Sequence, residues 1–188
     1  MRQRLYESAM SLFAEKGYND TSIDDIAEKA DVARATVFNY FRRKDEFLDE
    51  WTERRQESLR ETIRQQEPQR SSTLEQLRRC MQVLATVNEE QFGIARTLVP
   101  AWVQAGRPIT EEPYTADIFA EIIADGITHG EVRDNVDPEL AGNLLRDVYL
   151  GTLFRWIDGE ADHPFSLRDH LMALVDLLVE GLATQASS

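Results

Sequence analysis

One short segment, residues 21–44, concentrates the side chains with the most specific chemistry in this chain. Arg34 can fork onto the O6 and N7 atoms of guanine, and Asn39 can pair with adenine if it faces the bases. The hydroxyl of Tyr40 and the amine of Lys44 suit phosphate oxygens, which fix the position of a protein on a duplex without reading its sequence. The segment therefore predicts contact with double-stranded DNA.

Two short helices joined by a tight turn would position these side chains. Apolar residues spaced by three, one and three positions predict a first helix with one buried face: Ile23, Ile26, Ala27 and Ala30. Either Ser22 with Asp25 or Thr21 with Asp24 can form its N-terminal capping box. A second helix would place Val32, Val37 and Phe41 inward. It would leave outward the side chains that suit a major groove: Arg34, Ala35, Thr36, Asn39 and Tyr40.

The charge distribution permits such a surface on an acidic protein. The net charge of −13 argues against nucleic-acid binding by the whole chain, because phosphate contacts need basic side chains. However, residues 1–80 carry 15 basic and 16 acidic side chains, whereas residues 81–188 carry 6 and 18. Within residues 31–44, four basic side chains oppose only Asp31. This local patch predicts a modest, salt-sensitive footprint.

Composition favours a folded intracellular protein. Hydrophobic residues make up 42% and charged residues 29%, near the values of globular domains. No apolar run approaches the roughly 18 residues of a membrane span, and the N-terminus lacks a signal-peptide core. We therefore expect a cytoplasmic protein without a membrane partner. A lone Cys80 excludes an internal disulfide and predicts a packed thiol.

Every segment of the chain is typical of a helix, and the fold class predicted is all-α with about nine helices. A first helix over residues 2–15 ends at Gly17, and a long helix begins near residue 45. We predict a DNA-binding domain over residues 1–45 and a larger α-helical domain over residues 46–188. Thr73 is expected to cap the helix that follows the break at Pro68.

The last two helices are apolar on more than one face, which favours a homodimer built from the same helix pair of two subunits. The alternative is that one chain buries both faces. Gly142 and Gly151 would allow close approach. The residues expected at the dimer interface are Leu144, Val148, Gly151, Leu153, Leu167, Leu171, Leu174 and Leu178.

No catalytic or metal-binding motif is present. The three histidines do not have metal-ligand spacing, and the chain lacks a GxSxG elbow, a phosphate-binding loop and a dinucleotide fingerprint. We therefore predict no enzyme activity, no cofactor and no metal.

The N-terminal residues resemble those of the TetR family of transcriptional regulators over roughly residues 2–50. The match consists of residues that agree in order and spacing: Leu12-Phe13, Gly17-Tyr18, Thr21-Ser22, Ile26-Ala27, Val32, Arg34 to Phe38, Tyr40-Phe41 and Lys44. The resemblance implies a homodimer whose two helix-turn-helix units face successive major grooves of a palindromic operator. It also implies a small-molecule effector that alters the distance between these units.

The resemblance also implies DNA contacts at matching positions. Arg34 and Ala35 lie where the family reads bases, and Thr36, Tyr40 and Lys44 lie where it holds phosphates. The full set of expected DNA-binding residues is Thr21, Ser22, Arg34, Ala35, Thr36, Phe38, Asn39, Tyr40, Arg43 and Lys44.

Three residues depart from the family pattern. Asp31 replaces the usual glycine of the turn, although Asp tolerates the left-handed conformation. Ala33 replaces a capping Ser or Thr, a loss of about 1 kcal/mol in typical helices. Phe38 replaces a Tyr whose hydroxyl commonly touches DNA. These departures predict a different operator.

Bulky side chains on the later helices predict a pocket for a hydrophobic or aromatic effector with a few polar groups. The candidates are Trp51, Met81, Phe92, Trp102, Tyr114, Phe119, Ile123 and Tyr149. The leading hypothesis is therefore a ligand-responsive repressor. Its rival is an all-helical interaction module whose three-helix head binds protein, which would have no need for the polar array of residues 34–44.

Overall fold

The computed structural model describes residues 1–65, 71–106, 115–159 and 165–180, and within these ranges the chain is all-helical, with nine helices. In chain order they are α1 (Arg2–Lys16), α2 (Ile23–Lys29), α3 (Arg34–Phe38), α4 (Glu46–Gln65), α5 (Thr73–Glu90), α6 (Phe92–Gln104), α7 (Thr115–Thr128), α8 (Pro138–Asp158) and α9 (Leu167–Glu180). The predicted fold class is confirmed. Within the described ranges, no helix is both long and apolar enough to cross a membrane.

The chain forms two compact units. Unit 1 consists of residues 1–57 and 91–112, and unit 2 consists of residues 58–90 and 113–188. Helix α4 contributes residues to both units. Unit 1 therefore contains more than the helix-turn-helix, because α6 packs against α1 within it.

Aromatic rings form the core of unit 1. Phe13, Phe41 and Phe47 are fully buried. The rings of Phe41 and Phe47 stack with centroids 3.9 Å apart, and Phe13 meets Phe47 edge-on at 6.3 Å. These three residues come from α1, from the segment after α3 and from α4, so their contact fixes α3 against the rest of the unit. Burial of each ring is worth a few kcal/mol, and the pair geometry adds to this.

Unit 2 is built on tight packing between α7 and α8. Gly142 of α8 lies so close to α7 that a Cβ at this position would come within 2.5 Å of the carbonyl oxygen of Ala116. Gly142 thus serves packing within the chain, which corrects the prediction that it allows approach of a second subunit. Cys80 is fully buried in α5, and burial raises the pKa of its thiol to about 12, so the predicted packed thiol is confirmed.

Helix α5 begins with a capping box that differs from the expected one. The hydroxyl of Ser72 accepts from the amide of Glu75, and the carboxylate of Glu75 accepts from the amide of Ser72. Thr73 is instead buried, and both its amide and its hydroxyl donate to Glu131. The prediction that Thr73 caps this helix is therefore wrong, because Ser72 holds the N-cap position and its hydroxyl accepts the cap bond, whereas Thr73 is the first residue of the helix.

Candidate DNA-binding surface

The capping box of α2 orients the helix-turn-helix. The hydroxyl of Ser22 accepts from the amide of Asp25 at 3.1 Å, and the carboxylate of Asp25 accepts from the amide of Ser22 at 2.7 Å. The first of the two predicted alternatives is therefore confirmed. Hydrogen bonds from Ser22 and then Lys16 lower the pKa of Asp25. The carboxylate is thus held ionised, where it also complements the positive end of the helix.

The turn between α2 and α3 takes the conformation expected from its sequence. Asp31 has a φ of 50°, so the aspartate does adopt the left-handed conformation that the usual glycine would take. Ala33 occupies the N-cap of α3 and supplies no side-chain cap. Helix α3 spans only five residues, and its C-terminal end continues as a turn in which the amide of Phe41 bonds to the carbonyl of Val37.

Helix α3 and the two residues after it present a polar and aromatic surface, which we call the reading surface. Its members are exposed or half-exposed: Arg34, Ala35, Thr36, Phe38, Asn39 and Tyr40. Val37 and Phe41 are fully buried and hold this surface in place. The six predicted DNA-binding residues of this segment are thereby brought together on one side of the unit.

Arg34 is already paired in the free protein. Its Nη1 donates to both carboxylate oxygens of Asp24, at 3.0 and 2.7 Å, and its guanidinium lies over the ring of Phe38 at 5.4 Å. The role of Asp24 could not be predicted from sequence, because no local pattern relates a residue of α2 to one ten positions later. The side chain of Arg34, which was predicted to read bases, is thus fixed from two sides.

Thr21 and Lys44, both expected at DNA, face the protein. Thr21 is buried, and its hydroxyl donates to the carbonyl of Gly17 at 2.8 Å. The ammonium of Lys44 donates to the carbonyls of Tyr18, Asn19 and Thr21 at 2.9, 3.3 and 3.1 Å. Burial lowers its pKa. Three bonds occupy its three N–H groups, so a phosphate would have to replace one of these carbonyls.

The remaining basic candidates differ in their surroundings. Arg43 is exposed and pairs loosely with Asp45 at 3.4 Å. Arg2 donates to Glu50 at 2.6 Å and to the carbonyl of Tyr40 at 2.9 Å. Glu50 also accepts from Arg54, so this buried carboxylate ties α1 and α4 to the end of the reading surface. Local sequence does not predict these contacts of Arg2, because its partners lie far along the chain.

The predicted pocket residues divide between the two units. Trp51, Phe92 and Trp102 belong to unit 1, and Tyr114 lies outside the described residues. The remaining four are buried in unit 2: Met81, Phe119, Ile123 and Tyr149. In the same unit, the amide of Asn88, which is fully buried, donates to the hydroxyl of Tyr149 at 3.0 Å. Unit 2 thus holds a mainly apolar set of side chains with one polar pair.

The residues predicted at a dimer interface also divide. Leu153, Leu167 and Leu171 are buried by the chain's own helices, so a second subunit cannot cover them and their placement at an interface is corrected. Val148, Gly151 and Leu174 are half-exposed, whereas Leu144 and Leu178 are exposed. Further exposed aliphatic residues accompany these two, and together they form what we call the aliphatic surface: Leu140, Leu144, Leu177, Leu178 and Val179.

Comparison with known proteins supports this assignment of the helix-turn-helix. Residues 5–51 match the family model of the bacterial regulatory proteins of the TetR family. The chain superposes with a TM-score of 0.80 on Thermus thermophilus FadR, a TetR-family transcriptional repressor in complex with lauroyl-CoA, at 26% identity over 100% of this chain and 97% of that one.

Two relatives from Bacillus subtilis strain 168 align over nearly the full length. One is an uncharacterised HTH-type transcriptional regulator, YhgD, at 24% identity over 97% of this chain and 96% of the relative. The other is a fatty acid metabolism regulator protein, at 22% identity over 95% and 94%. Their names confirm the prediction of a regulator and not an enzyme. The chain is therefore a transcriptional regulator whose residues 5–51 match the model of the TetR family.

Proposed function

We propose that this chain is a homodimeric repressor that binds a palindromic operator through two reading surfaces and is released by a small-molecule effector. The observation that carries this proposal is the similarity along the whole chain to a repressor bound to lauroyl-CoA. Because the proposed target is an operator on DNA inside the cell, we place the protein in the cytoplasm.

The proposed DNA contacts come from the reading surface and its neighbours. Arg34 and Asn39 read base edges, Ala35 meets a thymine methyl group, and Thr36 and Tyr40 hold phosphates. Arg43 is exposed enough to reach a phosphate. Ser22, Thr21 and Lys44 act by positioning, since their polar atoms already bond within unit 1. Binding should therefore depend on salt through few phosphate contacts.

The aliphatic surface is the proposed dimer interface. Leu140 is 69% exposed and Leu144 50%, and α8 and α9 pack against each other, so both helices offer apolar area to one partner. Gly151 leaves room for such an approach, because among the described residues a Cβ added there would meet only the side chain of Arg155, at 3.6 Å. Exposed aliphatic residues in such number mark an interaction site, and a second copy covers them symmetrically.

The proposed effector is a fatty acyl thioester of coenzyme A. Burial of an acyl chain needs apolar side chains, which Met81, Phe119 and Ile123 supply in unit 2. Asn88 and Tyr149 add a buried polar pair in the same unit. This class is narrower than the hydrophobic or aromatic effector expected from sequence, and it takes its chemistry from the ligand bound by Thermus thermophilus FadR.

Thermal-shift titration with lauroyl-CoA tests the effector. Free coenzyme A and laurate at the same concentrations serve as controls for the two halves of the molecule. A ligand present at 100 times its Kd stabilises the folded state by about 2.7 kcal/mol, which raises the melting temperature by several degrees. We expect this rise with lauroyl-CoA and a smaller one with either control. Equal curves with and without lauroyl-CoA would rule out this effector class.

Operator binding is tested separately by fluorescence anisotropy with duplexes that flank the protein's own coding region. We expect one palindromic duplex to bind far more tightly than a scrambled duplex, and lauroyl-CoA to release it. Lauroyl-CoA could release the duplex without raising the melting temperature, or raise the melting temperature without releasing the duplex. Either result would show that effector binding and operator release are not coupled as proposed.

A further inference from the structure

The ion pair between Arg34 and Asp24 contributes little to stability. The two side chains are 60% and 63% exposed, and exposed pairs of this kind are weak because water and salt screen them. The main effect of this ion pair is therefore on the position of the Arg34 side chain. That geometry is well defined, because Asp24 lies in the first turn of α2, whose start is fixed by the Ser22–Asp25 capping box.

Asp24 engages only one end of the guanidinium. Both hydrogen bonds run from Nη1, so within the part of the chain that the structure describes the Nε and Nη2 edge is left for another planar acceptor pair. The O6 and N7 atoms of guanine form such a pair, and a guanidinium edge meets them with two parallel hydrogen bonds. The ring of Phe38 lies under the same group and limits its tilt.

We propose that Asp24 is a specificity-determining positioning residue, which holds Arg34 so that its Nε and Nη2 edge meets a guanine of the operator. The proposal rests on the DNA-binding function proposed above. A side chain held before binding loses less conformational freedom on binding, so the guanine contact gains discrimination. The carboxylate also repels phosphates, so Asp24 lowers affinity for DNA on which Arg34 finds no guanine.

Loss of the Asp24 carboxylate should therefore weaken the preference for guanine and strengthen binding to random DNA. Replacement of Asp24 by Asn removes the charge and keeps the size of the side chain. We expect Asp24→Asn to raise affinity for random duplex and to steepen its salt slope by about 0.9, as for one added phosphate interaction. At the same time, preference for guanine at the Arg34 position should fall by at least about fivefold, the lower end of what one arginine–guanine pair contributes.

The test is a selection of full-length protein on a library of randomised duplexes, followed by sequencing of the bound fraction. Wild type, Asp24→Asn, Arg34→Ala and the double variant are compared. Glu28→Gln is the matched control, because Glu28 is an exposed carboxylate on the same helix. We expect Asp24→Asn and Arg34→Ala to lose preference at the same symmetric guanine, and the double variant to match Arg34→Ala. Glu28→Gln should keep the wild-type motif.

The outcomes separate this proposal from the function on which it rests. If wild type enriches no motif, the DNA-binding function fails. If wild type enriches a motif and Asp24→Asn keeps or strengthens its guanine preference, the positioning role of Asp24 is overturned. The role is also overturned if Asp24→Asn changes the motif of the Arg34→Ala background, because Asp24 would then contact bases itself. Melting curves of each variant, expected within a degree or two of wild type, confirm that folding is unchanged.

Discussion

Two exposed surfaces of this chain differ in chemistry and in how they are held. The reading surface of unit 1 carries an arginine, two aromatic rings and small polar groups, and its arginine is fixed by contacts within the unit. The aliphatic surface of unit 2 carries leucine and valine side chains that face solvent, such as Leu140 and Val179. Polar groups on the reading surface are hydrated in the free protein. Apolar groups on the aliphatic surface become more stable only when another apolar surface removes them from water.

The exposed fraction of a side chain does not by itself identify the partner of either surface. Phe38 and Leu178 have the same exposed fraction, 38%, yet Phe38 lies beside the guanidinium of Arg34 and Leu178 lies among aliphatic neighbours on α9. An aromatic ring beside a cation suits a charged, stacked ligand, and an aliphatic cluster suits another apolar protein surface. Separate variants on each surface can therefore test the two proposed partners independently.

The largest effect is expected from charges placed on the aliphatic surface. Leu144→Glu with Leu178→Glu should give a monomer in sedimentation velocity, because burial of two carboxylates at an interface is unfavourable. Affinity for a palindromic duplex should fall by about 100-fold or more, since two linked reading surfaces gain about 10² to 10⁴ in avidity. Ala124→Glu, an exposed position on α7, is the control and should leave a dimer. A dimer in the double variant would place the interface elsewhere.

A smaller loss is expected on the reading surface. Arg34→Ala should cost about 1–3 kcal/mol in binding to the preferred duplex and relax base preference at one position. Fluorescence anisotropy on the preferred and scrambled duplexes measures both changes. The variant should remain a dimer, in contrast to the changes on the aliphatic surface. Arg133→Ala, an exposed arginine of unit 2, is the control. An equal loss on both duplexes would assign Arg34 to phosphate contact.

Lys44 allows a test of positioning against phosphate contact. Lys44→Met removes three hydrogen bonds to backbone carbonyls and should lower the free energy of unfolding by about 1–3 kcal/mol. Chemical denaturation measures this loss. Lys29→Met, which breaks only an exposed pair with Glu15, should change stability much less. If instead Lys44→Met folds as stably as wild type and flattens the salt slope of binding by about one, Lys44 is a phosphate contact.

The smallest effect concerns the cap of α2. The folded-state pKa of Asp25 is lowered, so its carboxylate stabilises the fold above the unfolded pKa, near 3.8, and this stabilisation is lost as pH falls through the folded value. Asp25→Ala should therefore melt below wild type at pH 7, and the difference should shrink as the pH is lowered below about 4. A difference that stays constant down to pH 3 would contradict the ionised capping box.

Local rules predicted the helix-turn-helix well. The Ser22–Asp25 capping box and the left-handed Asp31 follow from residues within three positions of one another, where side chain and backbone must meet. Contacts between distant residues did not follow from such rules. The pairing of Asp24 with Arg34 depends on how α2 and α3 pack, and the bonds of Lys44 depend on how the connection between α1 and α2 meets the segment before α4.

The hydrophobic pattern of unit 2 did not predict which apolar residues are exposed. It marked Leu144 and Leu153 alike as apolar positions of α8, although one is 50% exposed and the other is buried. Periodicity identifies apolar faces but does not say which face the chain itself covers. Leu177, which completes the aliphatic surface on α9, was missed for the same reason.

The central claim, a dimer that reads a palindrome, is tested most directly by one titration. Full-length protein is titrated into a labelled palindromic duplex obtained by selection and into its scrambled counterpart at the same salt concentration, with the bound mass measured at saturation. We expect two protomers per duplex and an affinity for the palindrome at least about 10³ times that for the scrambled duplex. Equal affinity for the two duplexes, or one protomer at saturation, would contradict the claim.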